Sequence, residues 1–312
     1  MKKLLTTALA SGFLAAGVSV AAAGEIAVIV KTTNSNFWQN VNRGASAAIE
    51  GISEHTMTFN GPASESAVND QVALVENAIN RGVAGIVLAP SDPDALAPVV
   101  KRAFEAGIPV AIIDSGLAEG SEQYYQAFLS TDNCAAGELA AQMMIDNAGS
   151  TGNVAVMSYV AGVGSEIGRV GCFVEYIGEN SDIEIVGPFY SQSQMATALN
   201  QTTDVLAANE LVGIFGANEP TAIGMGRALE QSGKAGQITA IGFDGNGDLQ
   251  DMVRSGTLMA TAVQGSFQMG ELGVQAVADV IAGESVESFI DTGVVMVTKD
   301  NIDTPEAQNV LY

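Results

Sequence analysis

Apolar residues along the chain fall into short consecutive blocks, and most of these blocks are separated by amphipathic stretches of helix length. Strand-like blocks occupy Ile26 to Lys31, Thr56 to Asn60, Gly85 to Ala89, Pro109 to Asp114, Gln126 to Ser130, Asn153 to Tyr159, Ile183 to Pro188, Val212 to Gly216, Ile238 to Phe243 and Leu258 to Gln264. Between them, helical spacing marks Phe37 to Glu50, Ser66 to Asn80, Ala95 to Ala106, Gly137 to Asn147, Ile167 to Glu179, Ala196 to Ala208, Thr221 to Gln231 and Ser266 to Ala282. Val28-Ile29-Val30 and Ile86-Val87-Leu88 are apolar at successive positions, the mark of parallel strands covered on both faces. Alternation of strand and helix predicts parallel sheets with right-handed crossovers. That many strands exceed one convenient sheet, so the expected fold is α/β, with two doubly wound parallel-sheet lobes. A length of 312 residues suits two domains with cores of their own.

The first residues read as an export signal. Lys2 and Lys3 precede an apolar run from Leu4 to Val20, and Ala21-Ala22-Ala23 supplies a small-residue cleavage site, with the cut expected after Ala23. No cysteine follows that site, so no lipid anchor is expected. No later segment is an unbroken apolar run of ~18 residues, the length a membrane span needs. The formal charge is -23, and loss of Lys2 and Lys3 with the leader takes it to about -25. With 12 basic residues in all and no basic stripe, nucleic acid and anionic membranes are excluded as partners. Cys134 and Cys172 can bridge in an oxidising compartment, but sequence does not bring their Cα atoms within the ~7 Å limit, and buried thiols are the favoured state. One histidine, His55, and no Cys/His cluster point to no metal site, and no cofactor is expected.

In an open parallel sheet the crevice lies beyond the carboxyl ends of the strands. Those ends read Lys31 followed by Thr32-Thr33-Asn34-Ser35-Asn36-Phe37-Trp38, then Pro90-Ser91-Asp92, Ile113-Asp114-Ser115, Ala217-Asn218-Glu219, Phe243-Asp244-Gly245-Asn246 and Val263-Gln264. Planar amides and carboxylates suit the paired donors and acceptors of a neutral polyhydroxylated ligand, and an aromatic face covers the C–H side of a sugar ring. Each residue also has a plainer explanation. Asn218 and Asp244 stand where helix N-caps are wanted, and Asp114 where a loop is capped. Phe37 and Trp38 point about 100° apart on a helix, so only one of them is expected to be fully core.

The order I-A-V-I-V-K-T-T-N-S-N-F-W-Q-N-V-N-R-G-A, G-I-V-L-A-P, P-V-A-I-I-D-S, S-T-D-N, G-A-N-E, A-I-G-F-D-G and T-A-V-Q resembles the type I periplasmic sugar-binding proteins of ABC importers, with the ribose- and allose-binding branch the most similar. The resemblance spans the mature chain. It implies an N-terminal lobe of residues 24–131 plus 265–291, a C-terminal lobe of residues 132–264 plus 292–312, and a three-segment hinge near Thr131-Asp132, Gln264-Gly265 and Asp291-Thr292. It also implies a periplasmic monomer that closes on a pentose or hexose and delivers it to a membrane permease; a chemoreceptor is a further candidate partner. The matching positions are Lys31, Asn36, Phe37, Trp38 and Asp114 in the first lobe, and Arg169, Asn218, Asp244 and Gln264 in the second. Ser115 stands where ribose binders carry an arginine, which counts against ribose itself. The second-lobe aromatic expected near Ser191-Gln192-Ser193-Gln194 is missing, leaving Met195 or Tyr190 to fill that wall, or an acyclic sugar alcohol as ligand.

Two other classes compete. A carbohydrate-acting enzyme would use Asp114 and Asp244 as its carboxylate pair. A transcriptional regulator of the same core would need a basic helix-turn-helix where the export signal stands. Asp244-Gly245-Asn246-Gly247-Asp248 starts like a calcium loop, but Leu249 replaces the turn glycine and Ser255 the bidentate glutamate.

Overall fold

The computed structural model of the chain describes residues 24–312, and the expected export signal lies outside them. The described residues form two six-stranded sheets. In the first, β2 (His55–Asn60), β1 (Gly24–Ile29), β3 (Gly85–Leu88), β4 (Val110–Ile113), β5 (Ala127–Ser130) and β11 (Phe289–Asp291) lie side by side, all parallel. The second repeats that order with β7 (Asp182–Tyr190), β6 (Thr151–Ser158), β8 (Leu211–Gly216), β9 (Thr239–Phe243), β10 (Ala260–Gln264) and β12 (Val294–Thr298). There the last strand departs from the all-parallel expectation, since β12 runs antiparallel to β10. Each sheet therefore reverses strand order once, between β1 and β3 and again between β6 and β8, and these reversals open the crevices where ligands bind in such folds.

Strands form where the apolar blocks predict because helices cover both faces. Every residue of β3 and β4 is buried. One face of the first sheet packs under α1 (Asn36–Glu50) and α9 (Ser266–Ile281), through Val41, Ala45, Val274 and Val277; the other packs under α2 (Val68–Arg81) and α3 (Pro93–Glu105), through Val75, Leu96 and Val100. The second sheet is sandwiched likewise, by α4 (Asn133–Ala148) and α5 (Gly164–Asn180) on one side and by α6 (Met195–Ala208), α7 (Glu219–Gln231) and α8 (Gly247–Ser255) on the other. The chain passes between the sheets three times: after β5, after β10 on its way into α9, and between β11 and β12. Among the described residues no helix is long and apolar enough to cross a membrane.

Cys134 and Cys172 are bridged, which corrects the expectation of buried thiols. What the sequence hides is how closely α4 and α5 cross. A Cβ on Gly137 would sit 2.2 Å from the Arg169 carbonyl oxygen, so only glycine permits this contact, and the Cα atoms of the two cysteines come to 5.2 Å. The bridge closes a separation of 38 residues. Replacing both cysteines by serine is expected to lower unfolding free energy by about 2–4 kcal/mol, as read from urea unfolding of the oxidised protein and the double variant.

Candidate functional site

One backbone corner is built twice. At the end of β4, Asp114 takes a left-handed conformation with φ 63°, and at the end of β9 Asp244 does the same with φ 79°. Such angles are unfavourable for a residue with a Cβ and persist only where neighbours hold them. The neighbours match in the two lobes. The Asp114 amide donates to the Leu129 carbonyl at 3.0 Å and its own carbonyl accepts Ser130 Oγ at 2.7 Å. For Asp244 the partners are the Ala262 carbonyl at 2.7 Å and Thr261 Oγ1 at 2.7 Å. Each corner turns its carboxylate into the cleft between the lobes.

The first lobe neutralises its carboxylate directly. Lys31, just past β1, donates through Nζ to Asp114 Oδ2 and to Ser115 Oγ, both at 2.6 Å, and the ion pair is almost fully buried. Ser35 caps α1 by accepting the Trp38 amide at 3.3 Å, which places Phe37 and Trp38 in the first helical turn. Both are buried, contrary to the expectation that only one would be, because the start of α1 lies in the cleft and the opposite lobe covers it. Their rings meet edge to face with centroids 4.8 Å apart.

The second lobe neutralises its carboxylate through intermediaries. Gln264 Nε2 donates to Asp244 Oδ1 at 2.8 Å, and Gln264 Oε1 accepts Arg169 Nη2 at 3.1 Å. Arg169 is further held by the Ala217 carbonyl at 2.6 Å and Asn133 Oδ1 at 2.7 Å, with its guanidinium 3.6 Å from the Phe243 ring centroid. Asp244 Oδ2 accepts the Glu219 amide at 2.8 Å. Asp244 is therefore not the cap of α8; Asn246 is, accepting the Leu249 amide at 3.1 Å. Nor do these residues form a cation loop, since Asp248 turns toward Arg227. Asn218 does cap α7, through the Thr221 amide at 3.2 Å, and lines the cleft as well.

Eight of the nine residues singled out in the sequence line one cleft; Asn36 is the exception. Its side chain is exposed at the outer mouth, and it reaches across the cleft only through its amide, which donates to Glu219 Oε1 at 2.9 Å. The second-lobe aromatic is Tyr159, immediately after β6, and not Tyr190 or Met195. Its hydroxyl lies 2.9 Å from Ser165 Oγ. Sequence reasoning passed over Tyr159, Ser165, Glu65 and Glu219, all of which line the cleft. Tyr159 and Glu219 stand at strand ends and were open to that argument; Glu65 belongs to a loop after an edge strand, where no pattern marks it.

Glu219 and Asp244 are electrostatically loaded. Burial first, and then the nearby Asp244 charge, push the Glu219 carboxyl up to about 8, against hydrogen bonds from the Tyr312 hydroxyl and the Asn36 and Phe37 amides. Burial pushes Asp244 up to about 6, although Arg169, Gln264 and the Glu219 amide favour its charged form.

A periplasmic binding protein domain is matched over residues 26–285. The chain belongs to the periplasmic binding protein family. The D-allose-binding periplasmic protein of Escherichia coli is 30% identical over 267 residues, covering 84% of this chain and 86% of that protein. A ribose import binding protein of Salmonella typhimurium is 28% identical over 305 residues, covering 96% and 99%. A solved ABC transporter solute-binding protein from Agrobacterium vitis with bound D-fucose is 70% identical, with a TM-score of 0.92 over 93% of this chain and 100% of that one. In this periplasmic binding protein, the cleft between the two sheets is thus the position where the family fold and the polar residues coincide.

Both raised carboxyls carry a stability consequence. A group whose folded value lies above its unfolded one contributes stability that is complete below the unfolded value and is lost as pH rises through the folded value. For Asp244 and Glu219 that loss runs from about pH 4 to about pH 8. The melting temperature of the ligand-free protein is expected to fall across this range, and Glu219→Gln is expected to flatten the fall above pH 6, as followed by thermal melts in matched buffers.

Proposed function

We propose that the chain is the periplasmic solute-binding component of an ABC sugar importer, and that it captures an uncharged monosaccharide between its lobes and releases it unaltered. The observation that carries this reading is the double corner. Of the four acids lining the cleft, the two corner aspartates are compensated by a cation or by an amide that leads to one. Glu219 is pushed toward its neutral form, and both oxygens of Glu65 are engaged by Trp38 and Ser193. The site as a whole therefore asks for an uncharged ligand rich in hydroxyls. Trp38 and Phe37 on one side and Tyr159 on the other supply the apolar surface for a ring. The names of the relatives point the same way, and D-fucose, bound by the 70% identical protein, is the first sugar to test.

Lobe closure follows from where the chain crosses between the sheets. The three crossings, near Thr131-Asp132, Gln264-Gly265 and Asp291-Thr292, act as the hinge, with residues 24–131 plus 265–291 moving against residues 132–264 plus 292–312. A sugar that bonds to both corners at once favours the closed arrangement by its differential affinity for it. The closed form is what a membrane permease would receive. Neither carboxylate is placed for hydrolysis. Asp114 is bound to Lys31, both oxygens of Asp244 already accept hydrogen bonds, and Glu219, the acid whose proton is held to about 8, has its oxygens on the Asn36 amide and the Tyr312 hydroxyl.

Asp244→Ala removes the acceptor that Gln264 and the Glu219 amide share, and it takes the counter-charge from Arg169 in a dry cleft. Affinity for D-fucose is expected to fall by at least ~2 kcal/mol, about thirtyfold, as measured by calorimetry. Unchanged affinity would remove Asp244 from the site, and a product other than D-fucose after incubation with the wild-type protein would overturn the binding reading.

A further inference from the structure

The cleft mouth carries a line of hydrogen bonds that crosses from one lobe to the other. It begins at Trp38, whose indole N–H donates to Glu65 Oε1 at 2.8 Å. The other oxygen of that carboxylate accepts the Ser193 hydroxyl from the opposite lobe. Ser193 Oγ in turn accepts Asn218 Nδ2 at 3.0 Å, and Asn218 Oδ1 caps α7. Glu65 is only 6% exposed, and both of its oxygens are engaged. Ser193 reaches it from a loop in which two successive residues, Gln192 and Ser193, hold left-handed φ angles of 57° and 53°. Neither side chain favours that backbone, and contacts around the loop must hold it.

We propose that Glu65 is a positioning residue that couples the orientation of the Trp38 indole to closure of the lobes. Oε1 fixes the indole within the first lobe. Oε2 gains its donor only when the second lobe carries Ser193 across the cleft, so closure completes the carboxylate's hydrogen bonds and locks the aromatic wall in one pose. When the lobes part, Ser193 leaves with its own lobe and water takes its place, so Oε1 still holds the indole but nothing on the far side fixes the carboxylate in its closed pose. Ser193 lines the outer mouth and not the inner cleft, so its effect on the ligand is transmitted through the two cleft residues it touches, Glu65 and Asn218, and the double variant E65A/S193A separates the Glu65 route. This rests on the sugar-binding reading only where a sugar is used to close the lobes.

Trp38 is the single tryptophan of the chain, so tryptophan emission and its quenching by acrylamide report on this one side chain. Four full-length variants are compared after thermal melts confirm folding: E65A, E65Q, S193A and E65A/S193A. In the free protein, E65A is expected to shift Trp38 emission and raise quenching at least twofold, and E65Q, which keeps an acceptor for the indole, to stay near wild type. With D-fucose in calorimetry, E65A and S193A are each expected to lose about tenfold in affinity, and the double variant no more than E65A alone. Emission in E65A identical to wild type overturns the proposal, and so do losses that multiply to about a hundredfold in the double variant. If D-fucose gives no heat with wild type, it is the choice of sugar that fails. The free-protein arm then decides, with an E65A shift reversed by E65Q upholding the anchoring and no shift refuting it.

Discussion

Charge buried between two lobes is the constraint around which this molecule is arranged. A carboxylate in a dry cleft costs several kcal/mol unless it is paired and hydrogen-bonded. Asp114 and Asp244 are both almost completely buried, and the two lobes satisfy them by different means. In the first lobe the cation is in contact. In the second the positive charge stands behind a glutamine, with Phe243 beneath it and a backbone carbonyl at its tip. Much of the surrounding architecture serves these arrangements, including the close crossing of α4 and α5 that carries Arg169 and the cap that starts α1 beside Lys31.

The repeated strand order explains why such different attendants end up face to face. Each sheet presents the carboxyl ends of its strands toward the other, and each fourth strand ends in an aspartate whose backbone is held by the strand beside it. The polar groups of the cleft thus sit on strand ends and helix starts, and the chain crosses between the two lobes three times. Glu219 adds a contact of a different kind, since its carboxylate belongs to one lobe and meets the first amides of a helix in the other. With its carboxyl pushed up to about 8, Glu219 makes this contact mainly as a neutral hydrogen-bond acceptor at pH 7, and so part of the attraction between the lobes comes from the protein itself.

The physical reasons for what the sequence disclosed are uneven. Strands such as Gly85–Leu88 and Val110–Ile113 were legible because burial on both faces leaves an unbroken apolar block. Phe289–Asp291 was not, because it is a three-residue edge strand with two exposed residues. Val294–Thr298 carries the apolar block Val294-Val295-Met296-Val297, but follows another short strand with no helix between them, outside the strand-helix alternation. Asp114, Asn218, Asp244 and Gln264 were legible from their place at strand ends. For Asp244 the capping alternative failed because Asn246, two residues on, fills that role. Glu65 and the Cys134–Cys172 bridge depend on distances between elements far apart in the chain, set by helix crossings and loop paths that local pattern does not encode.

The paired aspartate corners have a bearing on how a ligand is read. A frame that offers the same turn from both sides has approximate twofold character and, taken alone, would accept a small molecule equally well in either direction. The direction is set by what flanks the turns, a lysine and a serine on one side, a glutamine and an arginine on the other. The aromatic rings add to the asymmetry, Phe37 and Trp38 on the first side and Tyr159 on the second, so that exchanging the flanking side chains between the halves is the route by which such a scaffold would come to hold the same compound reversed.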